Sequence, residues 1–407
     1  MLKILLIGFI WPEPTSSAAG WRMLQLIQLF LKEHEVHFAS AASKSAHSHD
    51  LSAMGVEEHP ILLNDDTFDT FIRDLAPDVV VFDRFMVEEQ YAGRVIANCP
   101  QALRILDTED LHFVRHARQE AYKKGTAISY KNEIAKREIP AILRSDVALI
   151  ISEAEMALLE KEFSMETERL LYYPFQEDKL TADFQQNSPS FDGRKHFVFI
   201  GNFIHEPNWR TVEVLKRNIW PLLRKQLPDA ELHIYGAYAT EKVLQLHKPA
   251  EKFFIKGRAE DARACLANYK VMLAPIPFGA GQKGKFVDSM YAGTPTVSTS
   301  VGVEGMAKGE QWNGFVCNDY TDFVTKAVEL YANQSLWERC RDTGFALFNA
   351  QFAATTPREQ LLKWVVDRQL DLSEFRARNF WGSLLQQQQY YANKYMSLWI
   401  AAKNKEN

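Results

Sequence analysis

A short glycine- and lysine-rich stretch contains the residues whose types and spacing point most directly to chemistry. Gly279, Gly281 and Gly284 stand here beside Lys283 and Lys285. Glycine lets a backbone approach a ligand closely and adopt positive φ. The stretch follows a strand pattern and opens a helix pattern, and a helix start offers free N–H groups and a partial positive charge. It therefore predicts a site that holds a diphosphate.

One turn into the predicted helix stands Asp288, whose carboxylate is placed to accept hydrogen bonds from ribose hydroxyls. The acidic residue of dinucleotide-binding folds does this chemistry from a different place in the sequence. A plainer alternative is that the glycine-rich turn only joins a strand to a helix and that its lysines are solvated. The combination of glycines, lysines and an acid favours a nucleoside diphosphate.

A second dense group of ionisable side chains follows a predicted strand of the N-terminal half. It contains Asp107, Asp110, His112 and Arg115. Open parallel sheets bind ligands at the carboxyl ends of their strands, so we expect this group to face a substrate. It would orient substrate hydroxyls or accept a proton from one of them. The alternative is that Asp107 or Asp110 only caps the next helix.

Strand-like runs alternate with amphipathic segments through the N-terminal half, which is typical of a parallel sheet with helices on both faces. A helix is predicted over residues 21–32. The predicted strands are residues 3–10, 35–40, 78–82, 102–106 and 147–151. This pattern predicts a Rossmann-like α/β domain.

The same alternation begins again after a polar stretch, residues 176–195. Strands are predicted over residues 196–200, 231–235, 252–255, 271–275 and 296–300, and helices over 209–226 and 285–292. A chain of 407 residues is long for a single core. We therefore predict an N-terminal Rossmann-like domain over residues 1–178, a linker over 179–195, a second Rossmann-like domain over 196–370, and a helical segment over 371–407 that crosses back to the first domain.

Composition narrows the class of protein. A net charge of -5 argues against a generally basic nucleic-acid binder, and 46% hydrophobic residues are enough for packed cores. The four cysteines are scattered singly, which predicts a reducing, cytoplasmic setting. Residues 4–11 and the small residues after them also imitate a signal peptide, but the Rossmann spacing favours a first strand. No later run predicts a transmembrane helix.

The stretch that begins at Phe278 resembles the donor-site motif of family-4-type retaining glycosyltransferases of the GT-B fold. The matching positions are Lys285, Asp288, Met290, Ala292, Gly293, Pro295 and Val297. The resemblance implies two Rossmann-like domains facing each other across a cleft, with a nucleotide-sugar held by the C-terminal one. It also implies sugar transfer to a hydroxyl acceptor with retention at the anomeric carbon.

Further pieces stand in the order that this family has. The resemblance implies that Gly201 and Asn202, after the first strand of the second domain, face the donor phosphates. It implies that Gly257 and Arg258 lie beside the base. In the first domain it places a loop near the sugar and phosphate, where Arg22 would contact a phosphate or carboxylate. The alternative there is a helix start with an exposed arginine.

Gly20 belongs to the same loop. The sequence departs from the family pattern in two respects. Ala280 stands where the first of two acids is usual, and the second acid is Asp288 in place of glutamate. Asn202 and Trp209 stand near the positions where many members carry arginine and lysine. We expect Lys283 and Lys285 to supply the missing charge.

The acidic cluster, with Glu109 included, also offers metal ligands, but the resemblance implies transfer without an essential metal and without a cofactor beyond the donor. The expected partners are a nucleotide-sugar and a glycan or lipid-linked acceptor of surface polysaccharide synthesis. Aromatic residues near the C-terminus predict either packing or a peripheral contact with the inner face of a membrane. They are Tyr390, Tyr391, Tyr395 and Trp399.

Two other classes share this architecture. A nucleotide-sugar 2-epimerase would turn over the donor without an acceptor. A catalytically degenerate binding protein would hold the nucleotide and transfer nothing, and Ala280, Asn202 and Trp209 are the positions that favour it.

Overall fold

The first domain is built on a parallel sheet of seven strands. A computed structural model of the chain describes residues 1–307, 309 and 311–405. The strands are β1 (Lys3–Gly8), β2 (Glu35–Ser40), β3 (Glu57–Pro60), β4 (Val79–Asp83), β5 (Leu103–Asp107), β6 (Val147–Ile150) and β7 (Leu170–Tyr172). Their order across the sheet is β3-β2-β1-β4-β5-β6-β7. The chain therefore reverses its direction of strand addition between β1 and β4, where ligands of such sheets bind.

Helices cover both faces of this sheet because its central strands are apolar on both sides. Leu5 and Ile7 point into one core and Ile4 and Leu6 into the other. The helices are α1 (Ala18–Leu31), α2 (Thr67–Leu75), α3 (Phe85–Asn98), α4 (His112–Lys124), α5 (Ala135–Arg144) and α6 (Glu153–Phe163). The side chain of Ser17 caps α1 by accepting a hydrogen bond from the backbone N–H of a residue in its first turn.

The second domain repeats the plan with six parallel strands in the order β10-β9-β8-β11-β12-β13. They are β8 (Lys195–Ile200), β9 (Leu232–Tyr235), β10 (Phe253–Gly257), β11 (Tyr269–Ala274), β12 (Thr296–Ser298) and β13 (Gly314–Val316). Its helices are α7 (Ala182–Gln186), α8 (Glu206–Val214), α9 (Trp220–Gln226), α10 (Glu241–Leu244), α11 (Ala262–Leu266), α12 (Gly284–Tyr291), α13 (Ser300–Val303), α14 (Tyr320–Ala332) and α15 (Gln334–Gln351). A π-helical turn joins α8 to α9.

The chain then returns to the first domain through α16 (Thr356–Ala377) and α17 (Phe380–Lys405). Leu361 and Leu372 of α16 are buried in the core of the first domain. Arg376 forms an ion pair with Asp146 at 2.6 Å, beside the start of β6. The return therefore begins with α16, ahead of position 371 where the sequence placed it.

The prediction of two Rossmann-like domains is confirmed, and the ten predicted strands are all present within a few residues of their expected bounds. Three strands were missed: β3, β7 and β13. Each is short, and β3 reads Glu-Glu-His-Pro at the edge of its sheet. Edge strands lack the apolar run that marks a buried strand, so the sequence pattern does not show them.

The aromatic C-terminal helix α17 packs on α5 and α3 of the first domain. Tyr395 and Trp399 of this helix are exposed. The side chains of Tyr390 and Tyr391 lie outside the described residues. Across the part of the chain that the structure describes, no helix combines the length and the apolar character needed to cross a bilayer.

Candidate active site

Residues of both domains line a cavity of about 590 Å³ between the carboxyl edges of the two sheets. This volume lies within the usual range of small-molecule sites. The first domain contributes the loop before α1 and the segments after β4 and β5, and the second contributes the segments after β8, β9, β10 and β11. The cavity is therefore at the edge where parallel sheets bind ligands.

The glycine loop after β11 brings two lysines to this cavity at the start of α12. The ammonium group of Lys283 donates to the carbonyl oxygens of Gly281 and Val301, both at 2.9 Å. That of Lys285 donates to the side-chain oxygen of Asn208 at 2.5 Å. The first amide groups of a helix have no acceptor within it. The loop thus offers two cations and a helix N-terminus to the same space.

Both lysines are buried, and burial is the main cause of their lowered pKa values. Burial lowers the pKa of Lys283 to about 8. Burial, together with the charge of Lys283, lowers the pKa of Lys285 to about 7. An anion placed between them would favour the protonated forms and raise both values. The electrostatics of the loop therefore match a phosphate ligand.

Two glycines of the loop serve contact between the domains. Gly281 has φ +61°, and a Cβ atom on it would lie 2.7 Å from the Cβ atom of Asp110. A Cβ atom on Gly284 would lie 2.8 Å from that of Ala18 in α1. The backbone N–H of Gly281 donates to the carboxylate of Glu155 at 2.8 Å. Gly279 and Gly284 line the cavity, whereas Gly281 lies behind the wall, which corrects its expected direct contact with the ligand.

Asp288 lines the cavity and is held by Arg263 of α11. The Nε of Arg263 donates to Asp288 at 2.9 Å, and its Nη2 donates to Glu177 at 2.8 Å. The arginine plane lies over the ring of Tyr291, 4.3 Å from its centre. Asp288 accepts this hydrogen bond with Oδ1, so its carboxylate is oriented before any ligand arrives.

Gly201 and Asn202 line the cavity as expected, at the end of β8. A Cβ atom on Gly201 would lie 2.8 Å from the side chain of Asn208. The amide of Asn202 donates to the carbonyl of Ser16 in the first domain at 3.1 Å. Asn208, which also accepts from Lys285, connects this segment with the glycine loop.

The segment after β10 reaches the cavity through Arg258, which donates a hydrogen bond to the hydroxyl of Thr15 in the first domain. Gly257 has φ +79° and forms the turn before it, outside the cavity lining. The ring of Trp209 contacts the cationic groups of Arg210 and Lys242 and also lies outside the lining. Of these positions, the structure brings only Arg258 to the ligand space.

Two neighbouring carboxyl groups of the first domain have opposite protonation preferences. Burial and the charge of Asp107 raise the pKa of Glu109 to about 8. Burial alone would also raise the pKa of Asp110, but Arg115 and His112 bring it below its ordinary value. Both line the cavity. A protonated and an ionised carboxyl group side by side are the components of acid–base chemistry.

Two imidazoles stand beside these acids. The Nδ1 atom of His112 lies 3.1 Å from the carbonyl oxygen of Asp110. Its backbone N–H donates to Glu138 at 3.1 Å, so the cap of α4 comes from α5 and neither Asp107 nor Asp110 serves as that cap. His205 faces them from the second domain, and burial and the charge of Arg115 lower its pKa to about 4.

Arg22 and Asp107 lie beneath the cavity wall, which corrects their expected roles as contact residues. The two side chains are fully buried and paired at 2.8 Å. Arg22 also donates to the carbonyl of Tyr173. Gly20 packs on the preceding loop, since a Cβ atom there would lie 2.5 Å from the backbone nitrogen of Glu13. All three positions stabilise the first domain.

Seven ionisable residues of the cavity were not expected as donor-binding, acceptor-binding or catalytic residues: Arg84, Glu109, Glu177, His205, Glu260, Asp261 and Arg263. Arg84 and Glu109 have positive φ values of 73° and 61°, which sequence patterns do not show. Arg84 directly follows β4, so the rule that directed attention to the end of β5 applies to it as well. Asp83 and Glu109 raise the pKa of Arg84 despite its burial.

Comparison with family models found one match, which lies in the second domain. The model of the family described as Glycosyl transferases group 1 matches residues 194–333, which is most of the second domain. No curated protein sequence matches the chain.

Solved structures of similar fold include three glycosyltransferase-type proteins. TarM of S. aureus is 15% identical with a TM-score of 0.56, and the match covers 73% of this chain and 58% of TarM, so the chain spans less than two thirds of that protein. Anabaena HepE, in complex with UDP and glucose, is 11% identical with a TM-score of 0.60, covering 90% of this chain and 100% of that one. Sucrose-phosphate synthase from Thermosynechococcus elongatus is 13% identical with a TM-score of 0.60, covering 92% and 100%. The fold of this chain is therefore GT-B.

Proposed function

We propose that this protein transfers a sugar from a nucleoside diphosphate sugar to a hydroxyl acceptor in the cleft between its two domains. The observation that carries the proposal is that Lys283, Lys285 and the N-terminus of α12 together line the cavity between the two domains. The family match over residues 194–333 and the UDP and glucose bound by Anabaena HepE support the same substrate class.

The donor would lie against the second domain. Its diphosphate would meet Lys283, Lys285 and the N-terminus of α12, which neutralise the charge that develops on the leaving group. Its ribose would meet the carboxylate of Asp288, which Arg263 already orients. Gly201 and Asn202 would pass close to the phosphates, and Arg258 lies on the side proposed for the base.

The acceptor would enter from the first domain, near Asp110 and His112. As the bond between the anomeric carbon and the diphosphate oxygen breaks, the acceptor oxygen bonds to that carbon on the same face, and its proton passes to Asp110. The lowered pKa of Asp110 keeps this carboxylate ionised. The neutral carboxyl of Glu109 would donate a hydrogen bond to a sugar hydroxyl.

The first domain also places an acid near Ala280, the position where the family usually has the first of its two acids. The Cβ atom of Asp110 would lie 2.7 Å from a Cβ atom on the neighbouring Gly281. The acid of the first domain thus approaches the loop of the second domain from across the cleft. We propose that Asp110 takes over contacts with the sugar that a glutamate at position 280 would make.

The test is a thermal-shift and calorimetry screen of UDP-, GDP-, ADP- and CDP-sugars with wild type and with Lys285→Ala and Asp288→Ala. We expect one nucleotide to stabilise the wild type and to lose that effect in both variants. Lys225→Ala, an exposed lysine on α9, is the matched control and should behave like wild type. If no donor binds, or if binding survives both substitutions, this assignment of the cleft is wrong.

Transfer is then assayed with the donor that binds and a panel of glycan and lipid-linked acceptors. Donor consumption that requires an acceptor supports the transferase, while an epimeric sugar nucleotide formed without acceptor indicates the 2-epimerase. Binding without turnover indicates a degenerate binding protein. The proposal expects retention in the product and full rate when Mg²⁺ and Mn²⁺ are omitted.

The proposed setting is surface glycan synthesis at the cytoplasmic face of a membrane. The exposed side chains of Tyr395 and Trp399 on α17 support a peripheral contact, since such rings favour the membrane interface. Co-sedimentation with anionic vesicles should fall in the variant Tyr395→Ser/Trp399→Ser. Unchanged sedimentation would remove the basis for this contact.

A further inference from the structure

Three side chains that can bind a metal meet at the outer edge of the first sheet, on strands away from the cleft. They are His37 of β2 and Glu57 and His59 of β3. The parallel register pairs His37 with Glu57, and the chain brings His59 to the same face two residues later. Among the described residues, this is the only group of three such side chains whose ligand atoms lie this close together.

The distances between the three ligand atoms fit one small cation. His37 Nδ1 lies 3.0 Å from His59 Nε2 and 3.4 Å from Glu57 Oε2, and the last two atoms are 3.9 Å apart. A point equidistant from all three atoms lies inside their triangle, about 2.0 Å from each, which is the distance at which zinc binds imidazole and carboxylate. The cation would need no rearrangement of the strands.

A hydrogen bond and burial hold the His37 ring in an orientation suited to metal binding. Its Nε2 atom lies 2.8 Å from the carboxylate of Glu35. A carboxylate in this place holds the ring proton on Nε2 and leaves the Nδ1 lone pair for a metal. The His37 side chain is only 3% exposed, whereas Glu57 is 70% exposed. The site therefore has a rigid inner ligand and an open outer side, where water would complete four-fold coordination.

We propose that His37, Glu57 and His59 bind one divalent transition-metal ion, with Zn²⁺ as the ion that this ligand set favours. Two imidazoles, one carboxylate and a water form a common zinc environment. The bound ion would join the edge strand β3 to β2 and thereby strengthen a short, polar edge of the sheet. The site is separate from the cleft, and its function does not depend on the proposed transfer reaction.

The experiment titrates Zn²⁺ into the full chain, freed of any histidine tag and stripped with EDTA, and follows the heat of binding. We expect one ion per chain and a rise in the melting temperature. His59→Ala should weaken binding at least 100-fold, because a direct ligand is lost. Glu35→Gln should weaken it about 10- to 100-fold, because only the support of His37 is lost. Co²⁺ in the same site should show the visible absorption of a four-coordinate ion.

His47→Ala is the matched control, since this exposed histidine lies in the same domain outside the cluster. It should leave affinity and stoichiometry unchanged. Glu57→Gln checks the result in a mostly exposed side chain, where misfolding is not expected. The proposal is overturned if wild type binds no stoichiometric Zn²⁺, or if the double variant His59→Ala/Glu57→Gln binds it equally well. The three groups would then form only a hydrogen-bonded chain from Glu35 through His37 to His59.

Discussion

Raising the pH should weaken the binding of a nucleoside diphosphate sugar, because the two lysines of the glycine loop lose their protons near neutrality. Burial lowers the pKa of Lys285 to about 7 and that of Lys283 to about 8. A bound diphosphate returns both groups toward their ordinary pKa, near 10.4. Binding therefore takes up protons, and affinity is highest below pH 7 and falls as the pH rises through the two values.

The size of the effect follows from the protonated fractions. Lys285 is about nine-tenths protonated at pH 6 and about one-tenth protonated at pH 8. If only the protonated side chain binds the phosphate, the apparent Kd rises about tenfold over this range. Lys283, about half protonated at pH 8, adds a factor of about two. The expected weakening is about 20-fold.

The assay is titration calorimetry with the intact nucleotide-sugar, whose diphosphate bridge has no proton to lose in this range. Two buffers of different ionisation enthalpy, compared near pH 7.5, should report uptake of about one proton for each donor bound. Lys285→Gln should keep only about a twofold pH dependence, which separates this lysine from other groups of the cavity. Lys225→Gln should match wild type. Equal affinities at pH 6 and pH 8, with equal heats in both buffers, would show that these lysines do not meet the phosphates.

Three other substitutions test the structural roles assigned above. Arg22→Met leaves its buried carboxylate partner unpaired and should lower the free energy of unfolding of the first domain by about 3–5 kcal/mol in urea; a loss below 1 kcal/mol would contradict the pairing. Gly125→Ala, at φ +64° with open space around it, should lower the free energy of unfolding by about 1–2 kcal/mol. Gly281→Ala should lower it further and should also lower kcat, because its Cβ atom would meet Asp110. Burial raises the pKa of Glu109 to about 8, so wild-type stability should fall between about pH 4.5 and pH 8 by at most about 1.4 kcal/mol per pH unit for this group. Glu109→Gln should reduce that fall when unfolding is measured at pH 5 and pH 8, and an identical pH profile would show that Glu109 is ionised throughout.

Much of the architecture could be predicted because buried parallel strands carry long apolar runs. The strands that end at Gly8, Asp107 and Ala274 have such runs, and their carboxyl ends direct attention to the residues that follow. The lysines of the glycine loop and the acid at Asp288 were found in this way, and all of them line the cavity.

The remaining features depend on long-range contacts and backbone angles, which residue spacing does not reveal. Arg22 is buried because Asp107 and the carbonyl of Tyr173 surround its guanidinium, and the sequence pattern alone was compatible with a phosphate contact. Glu109 faces the cavity because its backbone adopts positive φ. The edge strand β3 could not be predicted either, because its polar residues carry no strand pattern and its pairing with β2 is a long-range contact.

The return of α16 to the first domain has a consequence for the order of events during synthesis. Leu361, Val365 and Leu372 fill a core whose other buried members lie before position 174. A ribosome must therefore complete the whole second domain before the first can close its apolar face. During that interval the emerging chain presents a hydrophobic surface that chaperones can recognise, and a stall between α15 and α16 would leave a finished second domain attached to an unfinished first one.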